Sequence, residues 1–360
     1  MHKGFWSLLT TPIIGLAPMD GVTDAAFRYI TDTYGKPDIL FTEFTSVEGI
    51  TRGADTLLQA FIHHTTDTPT VAQIFGTTPE AFYKVAFILA EMSFDGIDIN
   101  MGCPDRNVAK QGGGAALILK PTLAQEIIRK TMQGAQDWAE GRNITQIDLP
   151  PRIISFVETY KKQYNLDTTE RKILPVSVKT RIGYEKIVTT EWISTLLETE
   201  VANISLHGRT LKQLYTGEAS WEEIAKAAEM VRKTDTTILG NGDIKSLSDA
   251  KEKIQTYHTH GALIGRAAFG NPWIFKDITP DPHTKLQTAL EHCRVFERMT
   301  PDLHFLSLRK HMAWYCKGFE HAQIIRSQLM TTKTYDDVEK VIKHAQQILA
   351  ENNMIASPDY

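Results

Sequence analysis

Cysteine is scarce: 360 residues carry three, Cys103, Cys293 and Cys316. An odd number this widely spaced gives no CxxC pair, no disulfide framework and no zinc pattern. The expectation is a metal-free protein suited to the reducing cytoplasm. Long apolar runs are missing too, none approaching the roughly 20 residues of a membrane span, so no membrane partner is expected. The N-terminus has one early lysine, Lys3, and a broken apolar run. Without a long apolar region or a small-residue cleavage site it does not read as a signal peptide. Nor is there an excess of basic charge: 39 Lys and Arg stand against 43 Asp and Glu, a net charge of −4. That argues against a protein coated with positive charge. It leaves room for a local basic patch that binds phosphates.

What is present is ordinary globular material, 42% hydrophobic and 23% charged, enough for a large core. Eight short β-rich runs recur, at residues 13–17, 39–43, 70–75, 96–100, 174–179, 203–207, 237–241 and 261–265. Amphipathic helical stretches lie between most of them, at 23–34, 79–92, 189–198, 221–233 and 246–255. Strand alternating with helix implies parallel strands joined by crossovers. Eight such units in about 270 residues is the size of an α/β protein of the (β/α)8 TIM-barrel type. An open doubly wound sheet is the competitor that periodicity alone leaves standing. From 281 to 360 strand signals stop, and helical stretches at 284–298, 303–318, 322–330 and 335–352 predict a small all-helical bundle domain. The turn-rich Thr279-Pro280-Asp281-Pro282 divides it from a catalytic domain of residues 1–280. Within the barrel, residues 131–172 are long for one connection. They carry two helical patterns around Leu149-Pro150-Pro151, read as a helical insertion.

The active site of a TIM barrel sits at the C-terminal ends of its strands. Pro18, Met19, Asp20 and Gly21 follow strand one, and Glu43 ends strand two. Strand three delivers Gln73. Strand four runs into Asn100-Met101-Gly102-Cys103-Pro104. Lys179 ends strand five, with Arg181 beyond it, and strand six presents His207-Gly208-Arg209-Thr210. Asn241-Gly242-Asp243 and Gly265-Arg266 close the last two. Each residue alone has a plain structural reading: Lys179 or Glu43 as a solvated strand end, His207 as a hydrogen-bonded core histidine, Gln73 as a strand cap. Eight polar or glycine-rich positions in register at one end favour a site. The turns after strands seven and eight are small and rich in N–H donors, and Arg266 adds charge, so a phosphate ester is expected there, helped by a helix over 267–275. A flavin mononucleotide and a sugar phosphate both suit such a site. For a flavin, Gln73 offers amide donors and acceptors to a pyrimidine edge, and Lys179 offers positive charge where electrons accumulate on reduction.

The same segments resemble the tRNA-dihydrouridine synthases: residues 16–24, the Gln73-Ile74-Phe75-Gly76 run, Asp98-Ile99-Asn100-Met101-Gly102-Cys103-Pro104, Val178-Lys179-Thr180-Arg181, His207-Gly208-Arg209-Thr210, Asn241-Gly242-Asp243-Ile244 and Gly265-Arg266-Ala267. They occur in the family's order across residues 13–275. The Asn-x-Gly-Cys-Pro element is the most specific. The resemblance implies FMN held by Pro18, Met19, Asp20, Gln73, Lys179, Asn241, Gly242, Asp243, Gly265 and Arg266, with His207 near the flavin. It implies NADPH, or NADH, as electron donor and Cys103 as the catalytic acid. FMN would pass hydride to C6 of uracil, and a protonated thiol would give C5 its proton. The base must be turned out of folded RNA to reach the site. Asn100 and Arg181 are candidates for contacting the substrate. In the tail Arg309, Lys310 and Arg326 are candidates for tRNA phosphates, with His311 and Tyr315 for stacking or hydrogen bonding. Two rivals keep part of this pattern. A flavin barrel that reduces a free small molecule, like a dihydroorotate dehydrogenase, has no use for an RNA-binding tail. A non-catalytic RNA-binding barrel has no use for Cys103, Lys179 and His207 together.

Overall fold

A computed structural model of the chain describes residues 3–355 apart from 64–65, 106–107, 110–111, 215 and 301–302. Its strands are β1 (Ile13–Leu16), β2 (Leu40–Ser46), β3 (Thr70–Phe75), β4 (Gly96–Met101), β5 (Val176–Gly183), β6 (Asn203–Thr210), β7 (Thr237–Asn241) and β8 (Gly261–Ile264). All neighbours run parallel, in the order β1-β8-β7-β6-β5-β4-β3-β2. The two ends of that order also meet. Leu16 N–H donates to Ile39 O at 3.0 Å and Asp38 N–H to Ile14 O at 2.9 Å, and Gly15 bridges Ile39. The sheet is therefore a closed barrel and not the open doubly wound alternative. Its strands begin in branched apolar residues that pack on both faces. Ile97, Ile99, Val178, Ile204 and Ile238 are fully buried, as strands covered on both sides require.

The surrounding helices start where the sequence supplies caps. In α1 (Ala25–Gly35) the Asp24 carboxylate accepts from Phe27 N–H at 2.8 Å. After the short α2 (Val47–Thr51), proline opens α3 (Pro79–Glu91), α4 (Pro121–Ala139) and α5 (Pro151–Tyr164), where its fixed φ fits and its missing N–H costs nothing. The ring continues with α6 (Thr189–Leu197), α7 (Trp221–Val231) and α8 (Leu247–Tyr257), the last two capped by Ser220 and Ser246. Helix α4 runs unbroken through residue 131, where the buried Thr131 hydroxyl donates to Ile127 O. Beyond it the connection is tied down by Glu91, which is 2% exposed. Glu91 accepts from Trp138 Nε1 at 2.9 Å and pairs with Lys161 of α5.

The tail forms α9 (Pro282–Met299), α10 (Leu306–Tyr315), α11 (Ala322–Leu329) and α12 (Tyr335–Ile355). Its core of Leu286, Ala289, Phe296, Leu308, Met312 and Leu329 is continuous with Ala26 and Ile30 of α1 and with Trp273. The barrel rim joins it as well. Phe269 stacks on Trp314, ring centroids 4.1 Å apart. Gly270 has φ +64°, and a Cβ there would stand 2.3 Å from the Trp314 carbonyl, so only glycine permits this approach. The helix expected over 267–275 is broken at that glycine into two short 3-10 turns, Arg266–Ala268 and Pro272–Lys276. Among the described residues no helix is long and apolar enough to cross a membrane, and no cluster of metal-binding side chains occurs.

Candidate active site

The C-terminal strand ends enclose a cavity of about 680 Å³. β1 is followed there by Pro18, Met19 and Asp20, β3 contributes Gln73, and β4 leads to Asn100 and Cys103. β5 presents Lys179 and Arg181, β6 His207, β7 Asn241-Gly242-Asp243, and β8 Gly265-Arg266. Residues scattered over some 250 positions of chain thus face one space. Glu43 does not. A bulge in β2 shifts its pairing with β3 between Phe41 and Phe44, which breaks the alternation of side chains. Phe44 lines the cavity instead. Glu43 lies beside Asp24 and Arg28, where burial foremost pushes its carboxyl up to about 7.

Cys103 sits in a loop built by Asn100. The Asn100 side-chain oxygen accepts from Gly102 N–H at 3.0 Å and from Cys103 N–H at 2.8 Å, closing an Asx-type turn that points the thiol inward. From β5, Arg181 braces the same loop: its Nε donates to Gly102 O at 2.6 Å and its Nη1 to Thr210 O at 3.2 Å. β5 extends to Gly183, so Arg181 is a buried strand residue and not part of the following loop. Two of its donors are committed to backbone carbonyls, which makes it a brace for Cys103. The thiol is 9% exposed. Burial raises its pKa, the Asp105 and Asp20 charges add to this, and the Asp105 N–H opposes it. Cys103 is therefore a protonated thiol at neutral pH, the form a proton donor needs.

On β5, next to β4, Lys179 Nζ donates to Asn241 Oδ1 at 3.2 Å, and Asn241 Nδ2 donates to Leu263 O at 2.9 Å, which fixes the amide's direction. Burial, and then the Arg181 charge, lower Lys179 to about 8. It stays a cation at neutral pH. His207 is held neutral, well below 6.5, by burial and by the cations around it. Arg209 Nη1 lies 3.3 Å from His207 Nε2, and a guanidinium only donates, so Nε2 is the acceptor nitrogen.

Arg209, named at the end of strand six but given no role there, organises the end of the site after β7. Its Nη2 donates to Asp243 Oδ2 and to Gly217 O, both at 2.6 Å. Asp243 also accepts from Arg266 at 3.2 Å and from Ala219 N–H at 2.8 Å. Burial raises this carboxyl, but Arg209, Ala219 and Arg266 together hold it below its ordinary value. The Asp243 side chain is thus committed to two arginines and orients them. The sequence signal was present, two residues beyond His207 on the same face of β6, but it read as part of a motif and not as a contact.

The tail residues divide. The Lys310 ammonium reaches the rim, 3.1 Å from where a Cβ on Gly21 would stand. Arg326 is exposed on α11. Arg309 is half-buried and its Nε donates to Thr332 O at 2.6 Å, tying α10 to the α11–α12 connection. His311 and Tyr315 are not surface groups for RNA. They are 1% and 3% exposed and pack with His292 and Phe27 between tail and barrel. Their period places them on the inner face of α10, toward α1, and burial holds His311 neutral.

A family model described as dihydrouridine synthase matches residues 15–138 and 148–352. Within the stretch read as an insertion, only residues 139–147 fall outside it. The chain is 34% identical over 351 residues to a "Probable tRNA-dihydrouridine synthase" of Staphylococcus epidermidis, covering 95% of this chain and 96% of the relative. It is 32% identical over 358 residues to "Probable tRNA-dihydrouridine synthase 2" of Bacillus subtilis, with the same coverage. A solved dihydroorotate dehydrogenase (DHODH) structure from Eimeria tenella aligns at 12% identity and TM-score 0.45 over 73% of this chain and 78% of that one, too loosely to add to the strand register. The chain belongs to the dihydrouridine synthase family, a family of oxidoreductases.

Proposed function

We propose that this protein reduces uridines in tRNA to 5,6-dihydrouridine, with FMN as its cofactor and NADPH or NADH as electron donor. The observation that carries the reading is a protonated, buried thiol, Cys103, lining a cavity that Lys179, Arg209 on β6 and Arg266 after β8 also line. The residues fit an FMN. Arg209 Nε is buried with no hydrogen-bond partner beside the β7 and β8 turns. Gly242, at φ +127°, opens its backbone toward the cavity. Around Gly265 a Cβ would meet nothing nearer than Met19 Sδ at 3.7 Å, which leaves a cradle for a phosphate. Arg266, Arg209 and the backbone of 242–243 and 265–266 would hold the phosphate, Gln73 and Lys179 the ring's polar edge, and Pro18 and Met19 its side. When bound, FMN would supply the hydride that C6 of the uracil takes up. Cys103 gives its thiol proton to C5 of the resulting enolate-like anion and is reprotonated from solvent. Asn100 and Arg181 hold the loop so that the Sγ–H bond faces the base, and burial keeps the proton on sulfur until it is needed.

The reading is tested on the purified full-length chain. It should bind one FMN, and its NADPH-reduced form should be reoxidised without oxygen by unmodified tRNA, but not by free uridine or by orotate. Turnover of a free pyrimidine at the tRNA rate would establish the small-molecule rival.

Two further outcomes are expected. Arg209→Met leaves Asp243 with one arginine and removes the buried guanidinium, so FMN should bind roughly 10- to 100-fold more weakly by fluorescence titration, as loss of a buried charge-assisted contact entails. Lys310→Ala and Arg326→Ala should each weaken tRNA binding by roughly 3- to 10-fold and reduce its salt dependence by about one ion, leaving the flavin spectrum unchanged. Filter binding across a salt series reads both.

A further inference from the structure

Asp98 lies on β4, beneath the residues that line the cavity, and is fully buried. Each of its oxygens has a partner: Ser177 Oγ donates to Oδ1 at 2.6 Å and Gln73 Nε2 to Oδ2 at 2.7 Å. The chain of bonds continues. Asn100 Nδ2 donates to Gln73 Oε1 at 3.0 Å, and Asn100 Oδ1 receives the N–H groups of Gly102 and Cys103. Ser177, Gln73 and Asn100 are 0%, 1% and 6% exposed, so solvent does not offer these side chains other partners.

The direction of this chain is set from both ends, by the Asp98 carboxylate at one and by the Gly102 and Cys103 N–H donors at the other. An ionised carboxylate only accepts hydrogen bonds, whereas either amide is stable in two orientations differing by a half-turn. Burial raises Asp98 to about 6, so it is ionised at neutral pH. Gln73 must therefore turn its NH2 group toward Asp98 and its oxygen toward Asn100. Asn100 must answer with its own NH2, which leaves its oxygen for the Cys103 loop. Without an acceptor at position 98 the Gln73 NH2 group loses its buried partner, and only the Gly102 and Cys103 N–H donors still hold the chain's direction.

We propose that Asp98 is a positioning residue: its carboxylate anchors the buried end of the Gln73–Asn100 chain and so steadies both the amide edge offered to the cofactor and the loop that carries Cys103. The kinetic part of this inference rests on the proposed uridine reduction, and the thiol part does not.

The test compares Asp98→Ala with Asp98→Asn in the full-length protein. Asn keeps an oxygen for Gln73 and can give its NH2 to Ser177 Oγ, which accepts as readily as it donates. Asp98→Ala should lower kcat for tRNA roughly 10- to 100-fold, the size expected for misplacing a proton donor held by buried hydrogen bonds, with KM within about twofold. FMN affinity should fall with it, since Gln73 loses its buried anchor. Independently of flavin and tRNA, the alkylation rate of Cys103 by iodoacetamide, followed by peptide mass spectrometry, should rise several-fold in Asp98→Ala as the loop loosens. Asp98→Asn should restore kcat, FMN affinity and alkylation rate toward wild type. An unchanged thiol rate in Asp98→Ala, or an Asp98→Asn variant as impaired as Asp98→Ala, overturns the proposal. If the thiol rates behave as expected while neither protein reduces tRNA, the positioning role stands and the functional reading falls.

Discussion

Replacing Cys103 by alanine should leave the protein folded and able to bind FMN while lowering uridine reduction by roughly 10²–10⁴-fold, the range that one positioned general acid contributes. The loop survives the change because Asn100 holds it through the Gly102 and Cys103 N–H groups, which alanine retains. One contact is lost, the Asp105 N–H to Sγ bond at 3.4 Å. The lesion is thus confined to the proton. Hydride delivery in the variant would wait on water reaching C5, and water is scarce in so enclosed a position. Reduction of FMN by NADPH should proceed at the wild-type rate, and its reoxidation by tRNA should slow. Rapid-mixing absorbance measurements separate the two half-reactions. Equal slowing of both would mean that Cys103 shapes the site and does not serve as the acid. Serine should rescue poorly, since a hydroxyl is a far weaker acid than a thiol.

Cutting the chain after residue 280 should cost far more than RNA binding. The tail's core includes Ala26 and Ile30 of α1 and Trp273 of the rim, so removing it exposes an apolar face of the barrel. Burial of a large apolar side chain contributes about 1.5–3 kcal/mol, and a whole domain is stable by only about 5–15 kcal/mol. The Phe269–Trp314 stack and the approach at Gly270 go too, and with them the support for the turn that carries Arg266. Residues 1–280 alone should express poorly, melt well below the full chain and hold FMN weakly. Differential scanning calorimetry and flavin content provide the check. A soluble fragment melting at the full-length temperature would show that the barrel is independent of its tail. The tail's grip on RNA is therefore better probed by Lys310→Ala and Arg326→Ala than by deletion.

The barrel was legible because its signal is repeated: eight apolar runs, each followed by a polar or glycine-rich turn, leave little room for a different order of elements. Strand lengths were less so. β5 and β6 run several residues past Lys179 and His207, since Arg181 and Arg209 are buried by their contacts with backbone carbonyls and Asp243, information that local hydrophobicity does not carry. Glu43 was misplaced because it falls within the bulge between Phe41 and Phe44, where the strand's alternation of side chains breaks. His311 was misread for a different reason. Beside Arg309 and Lys310 it looks like part of a basic surface, whereas the inner face of α10 is decided by packing against α1, which lies far away in sequence. Arg209 and Asp98 stood within motifs but received no role, because their partners, Asp243 and Gln73, are 34 and 25 positions distant.

The central claim is that one rim presents both a flavin and a proton-donating thiol to a uracil within tRNA. Its most direct test is to incubate the purified protein with NADPH and an unmodified tRNA transcript, digest the RNA and weigh the nucleosides. The account predicts that particular uridines gain two hydrogens, with a yellow wild-type enzyme and almost no product from Cys103→Ala. A colourless protein that takes up no FMN, or uridines of unchanged mass after prolonged incubation with the flavin-loaded enzyme, would contradict it.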